Sequence, residues 1–231
     1  MVNEAQSERI LAAVAERALS FVPRNGTVGL GTGRAASAFV RALASSVARG
    51  ERAVRCIATS EATANLARSL GLDLVNLADV EVIDVTVDGA DEVAPNLDLI
   101  KGYGGALVRE KVVAAASAKL VIAATVDKLV DRLGRRGKLP VEVVPFAWPF
   151  CQRRLRQLLG GEPVLRRNGE DLFLSDGENY ILDCPVGPIE DALALEDSIR
   201  RIPGVVGTGL FLGMASVVLV GDDERVQERH R

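Results

Sequence analysis

Thr27-Val28-Gly29-Leu30-Gly31-Thr32-Gly33-Arg34-Ala35-Ala36-Ser37-Ala38-Phe39-Val40-Arg41-Ala42-Leu43-Ala44-Ser45-Ser46-Val47 carries the clearest architectural signal in the chain. Residues 27–30 are a short apolar run, and the turn residues Gly31-Thr32-Gly33 stop it. From Arg34 onward Phe39, Val40, Leu43 and Val47 recur at helical spacing. The pattern is strand, glycine turn, helix. A turn of this kind leaves backbone N–H groups at the positive end of the helix, where they can cradle an anion such as phosphate. It is not a P-loop, because no Gly-Lys-Ser/Thr follows. The dinucleotide fingerprint G-x-G-x-x-G fails too, with Arg at 34 and Ala at 36. A tight turn that only packs a helix onto a strand would use the same residues.

Outward from this unit the alternation continues. Residues 8–22 carry helical spacing at Ile10, Leu11, Val14, Ala18, Leu19 and Val22, and Pro23-Arg24-Asn25-Gly26 breaks the helix. Downstream, strands are expected at 53–58, 72–77, 82–87 and 120–124, and helices at 61–70 and 106–118. Strands alternating with helices imply right-handed crossovers and a largely parallel sheet. Composition shifts at Arg132–Lys138. Strands at 141–144, 163–166, 171–175, 180–184 and 205–211 and helices at 148–159 and 191–202 then form a small α+β unit, and a last strand at 216–220 returns to the first sheet. The expected fold is α/β: a Rossmann-like, mostly parallel sheet flanked by helices, with a smaller inserted α+β domain of split βαβ, ferredoxin-like type. Expected domains are 1–135 plus 212–231 and 136–211.

Composition narrows the function classes. The 231 residues are 48% apolar and 26% charged with a net charge of −3, which suits a compact soluble globule and disfavours nucleic acid as a partner. No window approaches the ~18–20 apolar residues of a membrane span, and the charged N-terminus is unlike a signal peptide, so a cytoplasmic chain is expected. Cys56, Cys151 and Cys184 are too scattered for a disulfide framework or zinc cluster and read as buried reduced thiols. The only histidine, His230, sits in a charged tail. Any acid–base chemistry therefore falls to carboxylates, lysines, tyrosines or thiols.

Two further segments join the glycine turn at the carboxyl rim of the sheet, where such folds bind ligands. Asp88-Gly89-Ala90-Asp91-Glu92 follows the apolar run 82–87, and three carboxylates so close repel one another unless they meet cations or substrate hydroxyls. A calcium loop is one reading of this run, though it lacks the full ligand spacing, and a solvated acidic turn is the plain alternative. Ten residues on, Lys101-Gly102-Tyr103-Gly104-Gly105-Ala106 leads into Leu107-Val108-Arg109-Glu110-Lys111. A glycine-rich loop entering a helix offers amide donors to an oxyanion, Lys101 adds positive charge, and Glu110 lies about one turn into the helix. Taken alone, Arg109-Glu110-Lys111 reads equally as a charged helix face. A lysine, carboxylates, an amide-rich loop and a phosphate cradle are together the parts needed to abstract a proton beside a sugar carbonyl.

The chain resembles the type A ribose-5-phosphate isomerases. The motifs that carry the likeness are GLGTG (29–33), TSEATANLARSLGL (59–72), VDGADEVAPNLDLIKGYGGALVREK (87–111), IAATVDKLVDRLG (122–134), LPVEVVPF (139–146) and IPGVVGTGLF (202–211). The resemblance implies interconversion of D-ribose 5-phosphate and D-ribulose 5-phosphate through an enediolate, as in the non-oxidative pentose phosphate pathway, without a cofactor, in a homodimer or homotetramer. No metal is expected, because the chain offers no His or Cys cluster. Carried over by position, Glu110 matches the general base. Asp88 and Asp91 match residues that bind the sugar and assist ring opening, and Lys101 matches the lysine that stabilises developing negative charge. Gly89, Ala90, Gly102, Tyr103 and Gly104 fall on substrate-contacting segments, Lys128 matches a substrate-binding lysine, and Thr32, Gly33, Arg34 and Ala35 fall on the phosphate loop.

The family's usual GTGST run is here GTGRA, so Arg34 is a candidate replacement phosphate ligand. Thr125 stands where aspartate is common, and Tyr103 interrupts a run often all glycine. The alternative of another class is a non-catalytic sugar-phosphate-sensing domain. It is disfavoured by the complete Asp88/Asp91/Lys101/Glu110 set and by the single helix ahead of the sheet, which leaves no room for a DNA-binding module.

Overall fold

A computed structural model describes residues 4–231 of the chain. The chain divides into two compact units: one holds the chain up to Ala90 with Arg109–Lys128 and Met214–Arg231, the other Asp91–Val108 with Leu129–Gly213.

The first unit is built on a seven-stranded sheet in the order Val226–His230, Val217–Gly221, Leu120–Thr125, Val85–Asp88, Asn25–Leu30, Ala53–Ala58, Asp73–Leu74. Every pairing is parallel except that of Val226–His230 with Val217–Gly221. Four helices accompany it: α1 (Glu4–Leu19), α2 (Arg34–Ala48), α3 (Glu61–Ser69) and α4 (Leu107–Ala115, whose first two residues are counted with the second unit). Val28 and Leu30 point into a core shared with Val14 of α1 and Phe39, Val40 and Leu43 of α2. Gly29, between them, faces the other way. A Cβ there would lie 1.8 Å from Thr86 Oγ1 and 2.8 Å from Val113 of α4, so only a glycine lets that strand and helix approach.

Strand order places the switch point beside the central strand. From Asn25–Leu30 the chain builds outward through Ala53–Ala58 and Asp73–Leu74, then returns to the opposite neighbour, Val85–Asp88. A crevice at the carboxyl ends of two strands that diverge in this way is where open α/β sheets hold ligands. Those ends are Gly31-Thr32 and Asp88-Gly89.

Two expectations shift at the ends of this unit. The first helix runs Glu4–Leu19, about a turn earlier than the apolar spacing suggested, and residues 20–22 taper off it through N–H bonds to the carbonyls of 17–19. The charged C-terminal tail contains the edge strand Val226–His230. Its polar residues hid the strand from a search for apolar runs, yet charge is what suits a sheet edge.

The second unit contains a four-stranded antiparallel sheet in the order Val205–Thr208, Lys138–Val143, Tyr180–Pro185, Val164–Leu165, with α5 (Trp148–Leu159) and α6 (Ala192–Arg200) in the connections. In chain order this is βαββαβ with strand order 4-1-3-2, the ferredoxin-like arrangement. Leu139, Val141, Val143, Leu155, Leu182 and Ile199 form its core. The expected strand 205–211 is two strands, because Leu210–Phe211 leaves the sheet to pair with Leu99–Ile100, which also pairs with Glu92–Val93. That three-stranded ladder explains why 91–108 lies with the smaller unit although the sequence reading counted it with the larger domain. Residues 129–135 and 212–213 are counted with the smaller unit as well.

Candidate active site

In the first unit the glycine turn and the acidic turn meet directly. Asp88 is 1% exposed, and its Oδ1 accepts hydrogen bonds from the backbone N–H groups of Thr32 (3.1 Å) and Gly89 (2.7 Å). Gly31 donates from its backbone to the Val87 carbonyl at 2.9 Å. A Cβ on Gly31 would sit 2.2 Å from Asp88 Oδ1 and 2.5 Å from its Cα, so the turn hugs the neighbouring strand end.

Gly33 has φ 101° and is the N-cap of α2 with no side-chain cap. A positive φ costs glycine nothing. The first N–H groups of α2, on Arg34 and Ala35, thus open the helix without a capping side chain in front of them, which is the disposition an anion can use. The Arg34 guanidinium is exposed and donates to Ser7 Oγ of α1 at 3.2 Å.

A hydroxyl cluster that the sequence reading did not single out supports this turn. Thr32 Oγ1 lies 2.8 Å from Thr59 Oγ1, 2.8 Å from Ser60 Oγ and 3.3 Å from Thr63 Oγ1. Thr63 Oγ1 donates to the Gly31 carbonyl at 2.9 Å, and Ser60 caps α3 by accepting from the Thr63 N–H. The signal was present as Ser60-Glu61-Ala62-Thr63, an N-cap sequence, but its partner is some thirty residues away.

Glu110 stands in the first turn of α4 and is 4% exposed, while its neighbour Arg109 turns outward to an exposed ion pair with Glu61 of α3 at 3.0 Å. The Arg109-Glu110-Lys111 triplet is therefore not a uniform charged face. Lys128 ends a 3₁₀ turn (Val126–Lys128) after strand Leu120–Thr125, half-buried, with Nζ 3.9 Å from Asp127. Thr125 and Asp127 are joined by a side-chain hydrogen bond.

In the second unit, Asp91 Oδ2 accepts from the Tyr103 N–H at 2.9 Å. Glu92, wholly buried, accepts from the backbone N–H groups of Gly134 and Arg136, both at 2.6 Å. The expectation that these three clustered carboxylates meet cations or substrate is thus corrected for Glu92, whose two oxygens take their hydrogen bonds from loop amides.

Lys101 is 3% exposed, with Nζ 5.4 Å from the Phe211 ring centroid, and its N–H donates to the Gly209 carbonyl at 2.9 Å. Gly209 can approach because it lacks a Cβ, which would fall 2.4 Å from the Lys101 carbonyl. Tyr103 is anchored at both ends: its hydroxyl donates to the Lys138 carbonyl at 3.1 Å, and Lys138 Nζ lies 4.2 Å from its ring centroid. Burial, with Glu92 and Asp91 adding, pushes the Tyr103 phenol well above its usual range. Gly102 and Gly105 adopt φ of 101° and 89°. Gly104 follows Tyr103 in the same turn.

Among the described residues no group of three His, Cys, Asp or Glu could hold a metal ion, and no helix is long and apolar enough to cross a membrane.

Comparison with known proteins agrees with this architecture. A family model described as "Ribose 5-phosphate isomerase A (phosphoriboisomerase A)" matches residues 55–225. The ribose-5-phosphate isomerase A of Roseiflexus castenholzii is 50% identical over 216 residues, covering 93% of this chain and 92% of that protein. A ribose 5-phosphate isomerase A structure from Methanocaldococcus jannaschii superposes with TM-score 0.92 at 36% identity, over 97% of this chain and 100% of that one. A D-ribose-5-phosphate isomerase solved in complex with phospho-erythronic acid superposes with TM-score 0.93 at 34% identity, over 97% and 99%.

Proposed function

The chain belongs to the ribose 5-phosphate isomerase A family, and from that premise we infer that it interconverts D-ribose 5-phosphate and D-ribulose 5-phosphate. The observation that carries this is the 50% identity with a ribose-5-phosphate isomerase A across nearly the full length of both chains. A relative of the same fold holds phospho-erythronic acid, which supports a sugar phosphate as the ligand here. No observation favours the sensor alternative.

The reaction moves one hydrogen from C2 of the open-chain aldose to C1 of the ketose. In the proposed mechanism the Glu110 carboxylate removes the C2 proton, and the electron pair enters the C1–C2 bond while the carbonyl oxygen O1 takes the negative charge. The O2 hydroxyl proton passes to O1. Glu110 then returns its proton to C1 as the O2 carbonyl forms, so no proton or electron is lost. Lys101 and the amides of Gly102 and Gly104 would hold the developing oxyanion, while the Tyr103 N–H holds Asp91. Asp88 and Asp91, both set in place by backbone N–H groups, would bind sugar hydroxyls and assist ring opening, with Gly89 and Ala90 lining the approach. Thr32, Gly33, Arg34, Ala35 and Lys128 would take the phosphate.

This mechanism uses only the chain's own groups, and turnover should persist after exhaustive chelation. The family resemblance supports a homodimer or homotetramer, and Phe146, 96% exposed, is a side chain that assembly would shelter. Three buried free cysteines suit a reducing cytoplasm. The deciding experiment is to incubate the purified chain with ribose 5-phosphate and follow ketose formation. Binding without turnover would overturn the assignment and favour the sensor.

A further inference from the structure

We propose that Arg166, locked by Asp183, is a positioning residue that sets the backbone of the Lys101–Gly104 loop for the isomerase reaction. The inference rests on the proposed function for its catalytic consequence.

Arg166 spends its guanidinium in two directions. Its Nη1 donates to two successive loop carbonyls, Gly102 at 2.8 Å and Tyr103 at 3.1 Å. Its Nε and Nη2 form a two-pronged pair with the Asp183 carboxylate, Nε to Oδ2 being 3.0 Å. The Arg166 side chain is 10% exposed and that of Asp183 20%, so the pair is largely withdrawn from water. The guanidinium also lies 5.7 Å from the Phe173 ring centroid, and Phe173 in turn abuts Gly105, where a Cβ would come within 2.3 Å of the ring. Arginine presents rigid, forked donors, so fixing one edge on Asp183 fixes where the other edge points.

The consequence for the loop follows from peptide planarity. In a trans peptide the C=O and the following N–H point in opposite directions. Holding the Gly102 and Tyr103 carbonyls on Arg166 therefore turns the N–H groups of Tyr103 and Gly104 to the loop's other face. The Tyr103 N–H does reach the opposite side, at Asp91. Glycines at 102, 104 and 105 would otherwise leave this segment many backbone conformations. The loop that follows Lys101 is thus held by a side chain more than sixty residues away, on the edge of the antiparallel sheet.

A group that orients donors toward charge developing in the transition state acts on kcat more than on KM. Arg166→Ala is expected to lower kcat about 10- to 100-fold with KM for ribose 5-phosphate changed less than about threefold, as loss of positioning typically does. Arg166→Lys, which keeps the charge without the fork, should fall between Ala and the parent chain. Hydrogen–deuterium exchange read by mass spectrometry should rise several-fold in a peptide spanning 101–105 and stay unchanged in one spanning 217–221. Arg167→Ala, an exposed neighbour bound to the Glu170 carbonyl, should leave both readouts at parent values. Should Arg166→Ala not fold, Asp183→Asn, which removes the anchor and leaves the arginine, is read by the same two criteria. Unchanged exchange at 101–105, or a kcat within about twofold of the parent in a folded variant, would overturn the inference. If the parent chain itself fails to turn over ribose 5-phosphate, it is the functional assignment that falls, and the exchange measurement alone decides the clamp.

Discussion

Asp88 Oδ1 accepts a hydrogen bond from the backbone N–H of Thr32 at 3.1 Å, tying together the carboxyl ends of the two parallel strands at which the strand order reverses. One residue belongs to the proposed phosphate turn and the other to the acidic turn, so the sites proposed for the two ends of the substrate share a hydrogen bond. Moving either strand end moves both.

Gly31→Ala tests that coupling. Its Cβ would approach Asp88 Cα to 2.5 Å, a backbone atom that no rotamer change can remove. Overpacking of this kind typically costs about 1–3 kcal/mol. The urea midpoint should fall, and kcat/KM for ribose 5-phosphate should fall beyond what the lost folded fraction explains. Parental stability and parental turnover together would show that the turn has slack.

Glu110→Gln keeps the shape of the buried side chain and removes its capacity to accept a proton. Turnover should drop by about 10²–10⁴-fold or more while ribose 5-phosphate still binds. A near-normal kcat would sink the assignment of Glu110 as base.

Arg34→Ala separates two uses of one guanidinium. In the structure Arg34 reaches Ser7, an exposed contact worth little, whereas a hydrogen bond to a charged phosphate is worth about 1.5–3 kcal/mol. If Arg34 turns to the phosphate, kcat/KM should fall about 10- to 150-fold, with most of the change in KM because the phosphate is bound alike in ground and transition states. An unchanged KM would leave the phosphate to Thr32 and the amides of α2.

Alkaline pH should destabilise the fold before it reaches the arginines. Burial, with Asp73 adding, pushes the Cys56 thiol from 9.0 up to about 12, and burial likewise raises Cys184 and Tyr103. Between these limits the unfolded chain releases protons that the folded chain keeps, so stability falls as pH rises. Urea midpoints measured from pH 8 upward should stay level to about pH 9 and then decline, and Cys56→Ala should flatten the decline. A midpoint independent of pH up to 10.5 would contradict the burial of these groups.

Much of the fold was legible in the sequence because it depends on local periodicity. Thr27–Leu30 and the helical spacing from Arg34 to Val47 read directly as strand, turn and helix, and repetition of that unit implied the parallel sheet. The αβ pattern after Lys138 likewise implied the split βαβ unit. What failed locally was the strand Val226–His230, whose polar residues carry no apolar alternation, and the break at Gly209, which is set by the pairing of Leu210–Phe211 with Leu99–Ile100.

The chemical groups of the candidate site can be read from the chain without its fold: carboxylates at 88, 91, 92 and 110, a lysine at 101, and glycines where the backbone must turn sharply. The bonding partner of each came from folding. It assigned Glu92 to the amides of Gly134 and Arg136, drew Thr59, Ser60 and Thr63 around Thr32, and brought Arg166 to the carbonyls of Gly102 and Tyr103. Hydrogen-bond partners are set by distance in space, and contacts between residues thirty to sixty positions apart leave no periodic trace in one chain's sequence. A buried carboxylate must find donors wherever folding places them, and folding places them by packing the core.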